Sequence, residues 1–197
     1  MTTDEASRRA APNPPFEVRK KLALTRHVVL VGLMGAGKSA VGRRLASVVG
    51  APFMDADDAI VEAAGMSIPD IFASHGEPEF RAVERRVIAR LLVGPPHFLA
   101  LGGGAFMDPA TRERVAARGY SIWLRADLET LVARTGRKKG TRPLLDAGDP
   151  RAILADLMEQ RHPVYAQADL IVDTGDQPLD VLVLDLVERL RQQGILA

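Results

Sequence analysis

Gly32-Leu33-Met34-Gly35-Ala36-Gly37-Lys38-Ser39 satisfies the pattern G-x-x-x-x-G-K-[ST], and its flanks decide the fold. Ahead of it, His27-Val28-Val29-Leu30-Val31 reads as a buried parallel strand. Behind it, Lys38 to Val49 places Val41, Leu45, Val48 and Val49 at the spacing of one helical face. Strand, glycine loop and helix in this order form a P-loop. The glycines leave room for backbone N–H groups to point at phosphate oxygens. The helix N-terminus adds a partial positive charge and Lys38 a full one, while the Ser39 hydroxyl suits Mg²⁺. A nucleoside triphosphate is the expected ligand, bound by Gly35, Ala36, Gly37, Lys38, Ser39 and Ala40.

Composition narrows the class. A chain of 197 residues, 47% of them hydrophobic, can bury one sizeable core without staples. Lys plus Arg total 26 against 25 Asp plus Glu, so no global positive field for nucleic acid exists. Cysteine is absent, which removes disulfides, thiolate zinc sites and cysteine nucleophiles and fits a reducing compartment. His27, His75, His97 and His162 are scattered without metal-ligand spacing. No apolar run approaches the ~18 residues of a membrane helix. The expectation is a cytoplasmic protein with neither nucleic-acid nor membrane partners. With no heptad pattern, a monomer is expected.

Residues 1–24 differ in composition from the rest of the chain. Pro12, Pro14 and Pro15 rule out a continuous helix, and no apolar segment succeeds Arg8 and Arg9 to make a secretory signal. A disordered tail is expected there, with Phe16 to Leu24 a short lead-in helix and one domain over 25–197. Strands are expected at Ala51 to Met54, His97 to Leu101, Tyr120 to Leu124 and Leu170 to Val172. Helices are expected at Asp57 to Ala64, Ser67 to Ala73, Glu77 to Leu92, Pro109 to Ala117, Leu128 to Thr135, Pro150 to Gln167 and Leu179 to Gln192. Such alternation implies a five-stranded parallel sheet between two helical layers, an α/β fold. Right-handed crossovers then gather the loops at the strands' C-terminal ends, where the ligand site must lie.

Four features point from phosphate binding towards a small-molecule kinase. Asp55-Ala56-Asp57-Asp58 comes after the second strand, where alternation turns Asp55 and Asp57 to one side. One could serve Mg²⁺ and the other accept a proton from an attacking hydroxyl, although either Asp57 or Asp58 also suits a helix cap. Gly102-Gly103-Gly104 ends the third strand and allows close approach of a ligand. Arg81 has Glu84 and Arg85 three and four residues on, and Arg161 lies near a helix end before Pro163 and Tyr165. A guanidinium suits bidentate carboxylate recognition. The segment Gly136 to Gly148 carries Arg137, Lys138, Lys139 and Arg142 between glycines, as a cationic lid over phosphates would. No guanine-selecting Asn-Lys-x-Asp segment is present.

On these residues the chain resembles the shikimate kinase family across about 27–190. The likeness rests on residues 32–39, Asp55-x-Asp57, Gly76-Glu77-x-x-Phe80-Arg81, Gly102-Gly103-Gly104-Ala105, Arg142-Pro143-Leu144-Leu145 and Arg161-x-Pro163-x-Tyr165, all in the family's order. The resemblance implies a three-layer P-loop kinase fold with a substrate-binding helical segment and a mobile lid. It also implies ATP-dependent phosphorylation of the 3-hydroxyl of shikimate, on the route to chorismate and the aromatic amino acids. By that resemblance Lys38 and the loop amides hold the β- and γ-phosphates, and Ser39 and Asp55 position Mg²⁺. Asp57 is the base, while Arg81, Arg161 and Gly102 to Gly104 bind shikimate. Arg142 reaches the transferring phosphoryl group, and Arg134 packs on adenine. Two departures stand out: Ala40 replaces a frequent second hydroxyl residue, and Val172 to Pro178 lacks the basic residue many relatives carry near adenine. The alternatives are a gluconate-type kinase and a nucleotide-binding module without turnover.

Overall fold

The structure is a computed structural model that describes residues 22–136, 148–175 and 177–197. The expected tail up to residue 21, most of the lead-in helix, and the lid with Arg142 lie outside the described residues. The strands are β1 (His27–Val31), β2 (Phe53–Asp55), β3 (Phe98–Ala100), β4 (Gly119–Arg125) and β5 (Leu170–Asp173). The helices are α1 (Lys38–Val49), α2 (Ala56–Ala64), α3 (Ile68–Leu91), α4 (Pro109–Arg118), α5 (Leu128–Thr135), α6 (Pro150–Tyr165) and α7 (Leu179–Gln192).

The sheet is wholly parallel in the order β2-β3-β1-β4-β5. β1 lies at its centre, with Val29 level with Leu99 of β3 and Ser121 of β4. Every residue of β1 is buried, as a strand covered on both faces requires. Helices flank the sheet to give three α/β/α layers, with α1 against α7 and α4 against β4. Because the strands run one way, the loops after β1, β2 and β3 emerge at one end.

Several helices start on side-chain caps. The Ser67 hydroxyl accepts from Asp70 N–H at 3.3 Å, with Pro69 in the first turn. Asp108, Asp127 and Asp149 cap α4, α5 and α6 in the same way. The two helices expected between Ser67 and Leu92 meet at Gly76, whose φ of 75° and ψ of 173° break α3. A short 3₁₀ turn at Ala105–Met107 has no counterpart in the expected elements, since its three residues are too few to leave a periodic signal.

Two expectations fail locally. Val48 is exposed, and α1 buries Val41, Gly42, Leu45, Ala46 and Val49 instead. Gly42 sets that rotation, because a Cβ there would lie 2.4 Å from the Phe53 ring. Residues 22–24 are not helical either: Ala23 and Ala197 exchange backbone hydrogen bonds at 3.1 and 3.0 Å, and Leu24 bridges to Leu196. Residues 23 and 24 thus pair in a strand-like way with the C-terminal residues, a long-range contact that local periodicity does not encode.

Candidate active site

A cleft of about 690 Å³ opens at the C-terminal ends of β1, β2 and β3. The P-loop and α1 line it with Gly35, Gly37, Lys38, Ser39 and Ala40, and Arg134 reaches it from α5. Asp55, Asp57, Arg81, Gly102, Gly103, Gly104 and Arg161 complete the candidate residues on its wall. Among the described candidates, Ala36 is the exception. Its side chain is buried in the core, so only its backbone is placed to serve the loop.

The phosphate end is built from backbone. Gly35 and Gly37 have φ of 84° and 95°, which a side chain would strain. No acidic residue occupies the first turn of α1 and no side chain caps it, so its N–H groups and partial positive charge face the cleft uncompensated. Lys38 Nζ donates to the carbonyls of Gly32 (2.8 Å) and Leu33 (3.1 Å), which keeps it folded along the loop. The Ser39 hydroxyl donates to Asp55 Oδ2 at 2.6 Å, while Asp55 Oδ1 accepts from Asp57 N–H at 3.1 Å. Asp55 therefore caps α2 and is held through both oxygens. Asp57 belongs to the first helical turn, so the cap, and not strand alternation, brings the two carboxylates into one cleft.

The acceptor end is charged. Burial, and then the neighbouring Asp55, push the Asp57 carboxyl above its usual range, while Lys38 and Arg81 pull it back. Arg81 donates to Glu84 Oε2 at 2.7 Å and to Glu77 Oε1 at 3.0 Å, so its guanidinium is held from two sides. Glu84 is 2% exposed, and burial raises its carboxyl although Arg81 opposes that. Arg161 is also buried, and its Nη1 has no hydrogen-bond partner among the described residues. A buried cation with a free donor on a cleft wall is suited to a ligand anion.

At Gly102 and Gly104 these side chains crowd the backbone, whereas Gly103 has room for ordinary contact. A Cβ at Gly102 would lie 2.8 Å from Asp57 Oδ1 and 2.8 Å from Glu84 Oε1. At Gly104 it would lie 2.6 Å from both terminal nitrogens of Arg81, and at Gly103 3.4 Å from Arg161 Nη1. The Tyr165 hydroxyl donates to the Gly103 carbonyl, which ties α6 to the glycine turn. Glu84 also lines the cleft, although it is not among the site residues expected from sequence. Its spacing three residues after Arg81 marks it as a partner, but only its burial beside Gly102 makes it part of the cleft. Arg85, by contrast, turns to Asp108 at 3.6 Å. At the other side Arg134 Nη2 donates to the Gly175 carbonyl at 3.1 Å, joining α5 to the loop after β5.

The sequence profile of the shikimate kinase family matches residues 34–191. A shikimate kinase of Paramagnetospirillum magneticum is 58% identical over 166 residues, covering 84% of this chain and 84% of the relative. The solved shikimate kinase of Acinetobacter baumannii, in complex with shikimate, superposes with a TM-score of 0.82 at 36% identity, over 85% of this chain and 94% of that one. A gluconokinase from Sinorhizobium meliloti shares the fold alone, at a TM-score of 0.54 and 19% identity over 87% of this chain and 98% of that one. Profile, relatives and cleft agree that this chain belongs to the shikimate kinase family.

Proposed function

We infer that the chain transfers the γ-phosphoryl group of ATP to the 3-hydroxyl of shikimate, giving shikimate 3-phosphate and ADP. The observation that carries this reading is the convergence of Arg81, Arg161 and Asp57 on Gly102, Gly103 and Gly104. Two guanidinium groups suit a carboxylate, and the Asp57 carboxyl on the same wall suits one hydroxyl of the same small molecule. Phosphoryl transfer needs mainly alignment and charge neutralisation, and the cleft supplies both.

In this reading Arg81 and Arg161 grip the substrate carboxylate, and the glycine backbone lets the ring lie close. Asp57 accepts the proton of the attacking hydroxyl as its oxygen bonds to the γ-phosphorus. The bond from that phosphorus to the β-bridging oxygen breaks, and the electron pair leaves with ADP. Lys38 and the N–H groups of the P-loop bind the β- and γ-phosphate oxygens, with Ala36 and Ala40 contributing through backbone. Arg134 lies beside the base, and Arg142 approaches the transferring group, by family likeness. Ser39 and Asp55 offer hard oxygen donors 2.6 Å apart beside the P-loop, which fits Mg²⁺ held through few side chains and the nucleotide's own phosphates. The ion would neutralise phosphate charge there. We read 25–197 as one monomeric, cytoplasmic catalytic domain. Among the described residues no helix is long and apolar enough to cross a membrane.

The test is initial-rate ADP release from Mg-ATP with shikimate, with gluconate and with no acceptor. Release that depends on shikimate alone is expected. Release with gluconate would move the activity to another acceptor, and nucleotide binding without release would make the chain an inactive module.

A further inference from the structure

We propose that Thr174 is a positioning residue for the phosphate loop, its buried hydroxyl fixing the peptide between Ala36 and Gly37 so that the Gly37 N–H faces the nucleotide. Thr174 comes directly after β5 and is 3% exposed. Its Oγ1 lies 3.3 Å from the Ala36 carbonyl and 3.3 Å from the Arg125 carbonyl, and its own N–H donates to the Arg125 carbonyl at 2.7 Å. One hydroxyl proton is thus shared between the end of β4 and the phosphate loop.

The consequence is one of peptide geometry. The bond is trans and planar, so the Ala36 C=O and the Gly37 N–H point in opposite directions. A carbonyl anchored inward at Thr174 turns the amide outward, and Gly37 is on the cleft wall. Gly37, with φ of 95°, would otherwise allow this peptide to rotate cheaply. No side chain of Ala36 itself can hold it, since Ala36 has only a buried methyl group. The same short segment is held from the other side, where Arg134 donates to the Gly175 carbonyl at 3.1 Å. Adjacent residues of the loop after β5 therefore brace the phosphate loop through Thr174 and meet a nucleotide-side arginine through Gly175.

This inference rests on the P-loop binding the phosphates of a nucleotide, and its test separates the two. Calorimetric titrations with ADP, tripolyphosphate and AMP, each with Mg²⁺, are made on wild type, Thr174→Val and Thr174→Ser. Valine keeps the shape and removes the hydroxyl, while serine keeps the hydroxyl. In Thr174→Val the affinities for ADP and tripolyphosphate are expected to fall about three- to tenfold, the loss of one buried hydrogen bond. Affinity for AMP and the KM for shikimate should stay within about twofold. Thr174→Ser should restore phosphate affinity. Unchanged tripolyphosphate affinity in Thr174→Val overturns the proposal, as does an equal loss for AMP, which a displaced base-side loop would cause. Serine that fails to restore binding overturns it too. Should the valine variant not fold, judged by circular dichroism, Thr174→Ala carries the same comparison. Wild type that binds neither ADP nor tripolyphosphate would overturn the functional reading and this inference together.

Discussion

Asp57 shows how one residue acquires its chemistry from its surroundings. Burial first and Asp55 second raise its carboxyl above the ordinary value, so a larger share of it is protonated in weak acid. The sign is definite: activity should fall as pH drops through the raised value, because only the carboxylate accepts the hydroxyl proton. The acid limb of kcat/KM for shikimate is therefore expected clearly above about 3.9, the unperturbed value. A pH–rate profile with its limb at or below that value would remove Asp57 as the base. Asp57→Asn should lower kcat by about 10²-fold or more while ADP still binds, measured by initial rates and calorimetry. Gly104→Ala tests the crowding argument, since the new methyl would meet the Arg81 guanidinium at 2.6 Å. Displacing that charge-assisted contact should raise the KM for shikimate by about tenfold or more and leave the KM for ATP unchanged. A KM for shikimate equal to wild type would show that Arg81 does not bind the acceptor from this position.

Among the elements, α3 is the one whose detail matters to the cleft. Its break at Gly76 re-aims the second half, which carries Phe80, Arg81 and Glu84 to the wall. Pro78 falls at the start of that half, where a missing N–H costs nothing. A Cβ at Gly76 would make only an ordinary contact with Pro78 Cδ at 3.7 Å, so the demand is on φ and not on packing. Gly76→Ala is expected to cost about 1–3 kcal/mol of stability and to raise the KM for shikimate more than that for ATP. Thermal denaturation with paired kinetics checks both, and an unchanged melting temperature would mean that the break tolerates an L-residue. Asp55 makes the same point on a smaller scale: as the cap of α2 it is a structural residue of the element that presents Asp57.

Over the whole molecule, stability should depend on a histidine pair at the N-terminal ends of β1 and β3, the end of the sheet opposite the cleft. His27 and His97 stack edge to face at 4.5 Å, both are buried, and His27 Nδ1 and His97 Nε2 lack partners among the described residues. Burial, then His97, and then Arg118 lower the His27 pKa, outweighing backbone contacts to Leu92 and Gly94 that raise it. The unfolded chain thus takes up a proton near pH 6.5 while the folded one resists, so stability falls as pH drops below about 6.5. Asp57 and Glu84, raised in the folded state, act with the opposite sign at lower pH. The measure is therefore the difference between wild type and His27→Phe in urea unfolding at pH 7.5 and 5.5. The variant should lose less stability between them, and equal losses would remove His27 as the cause. The P-loop, the alternating strands and helices, and the order of Asp57, Arg81 and Arg161 were all legible in the chain, because glycine turns, period and spacing are local properties. Glu84 in the cleft wall, Asp55 as a cap, the pairing of residues 23 and 24 with the C-terminus and the reach of Thr174 to Ala36 were not. Each joins groups distant in sequence or depends on which side of an element meets the core, and only the packed structure decides that.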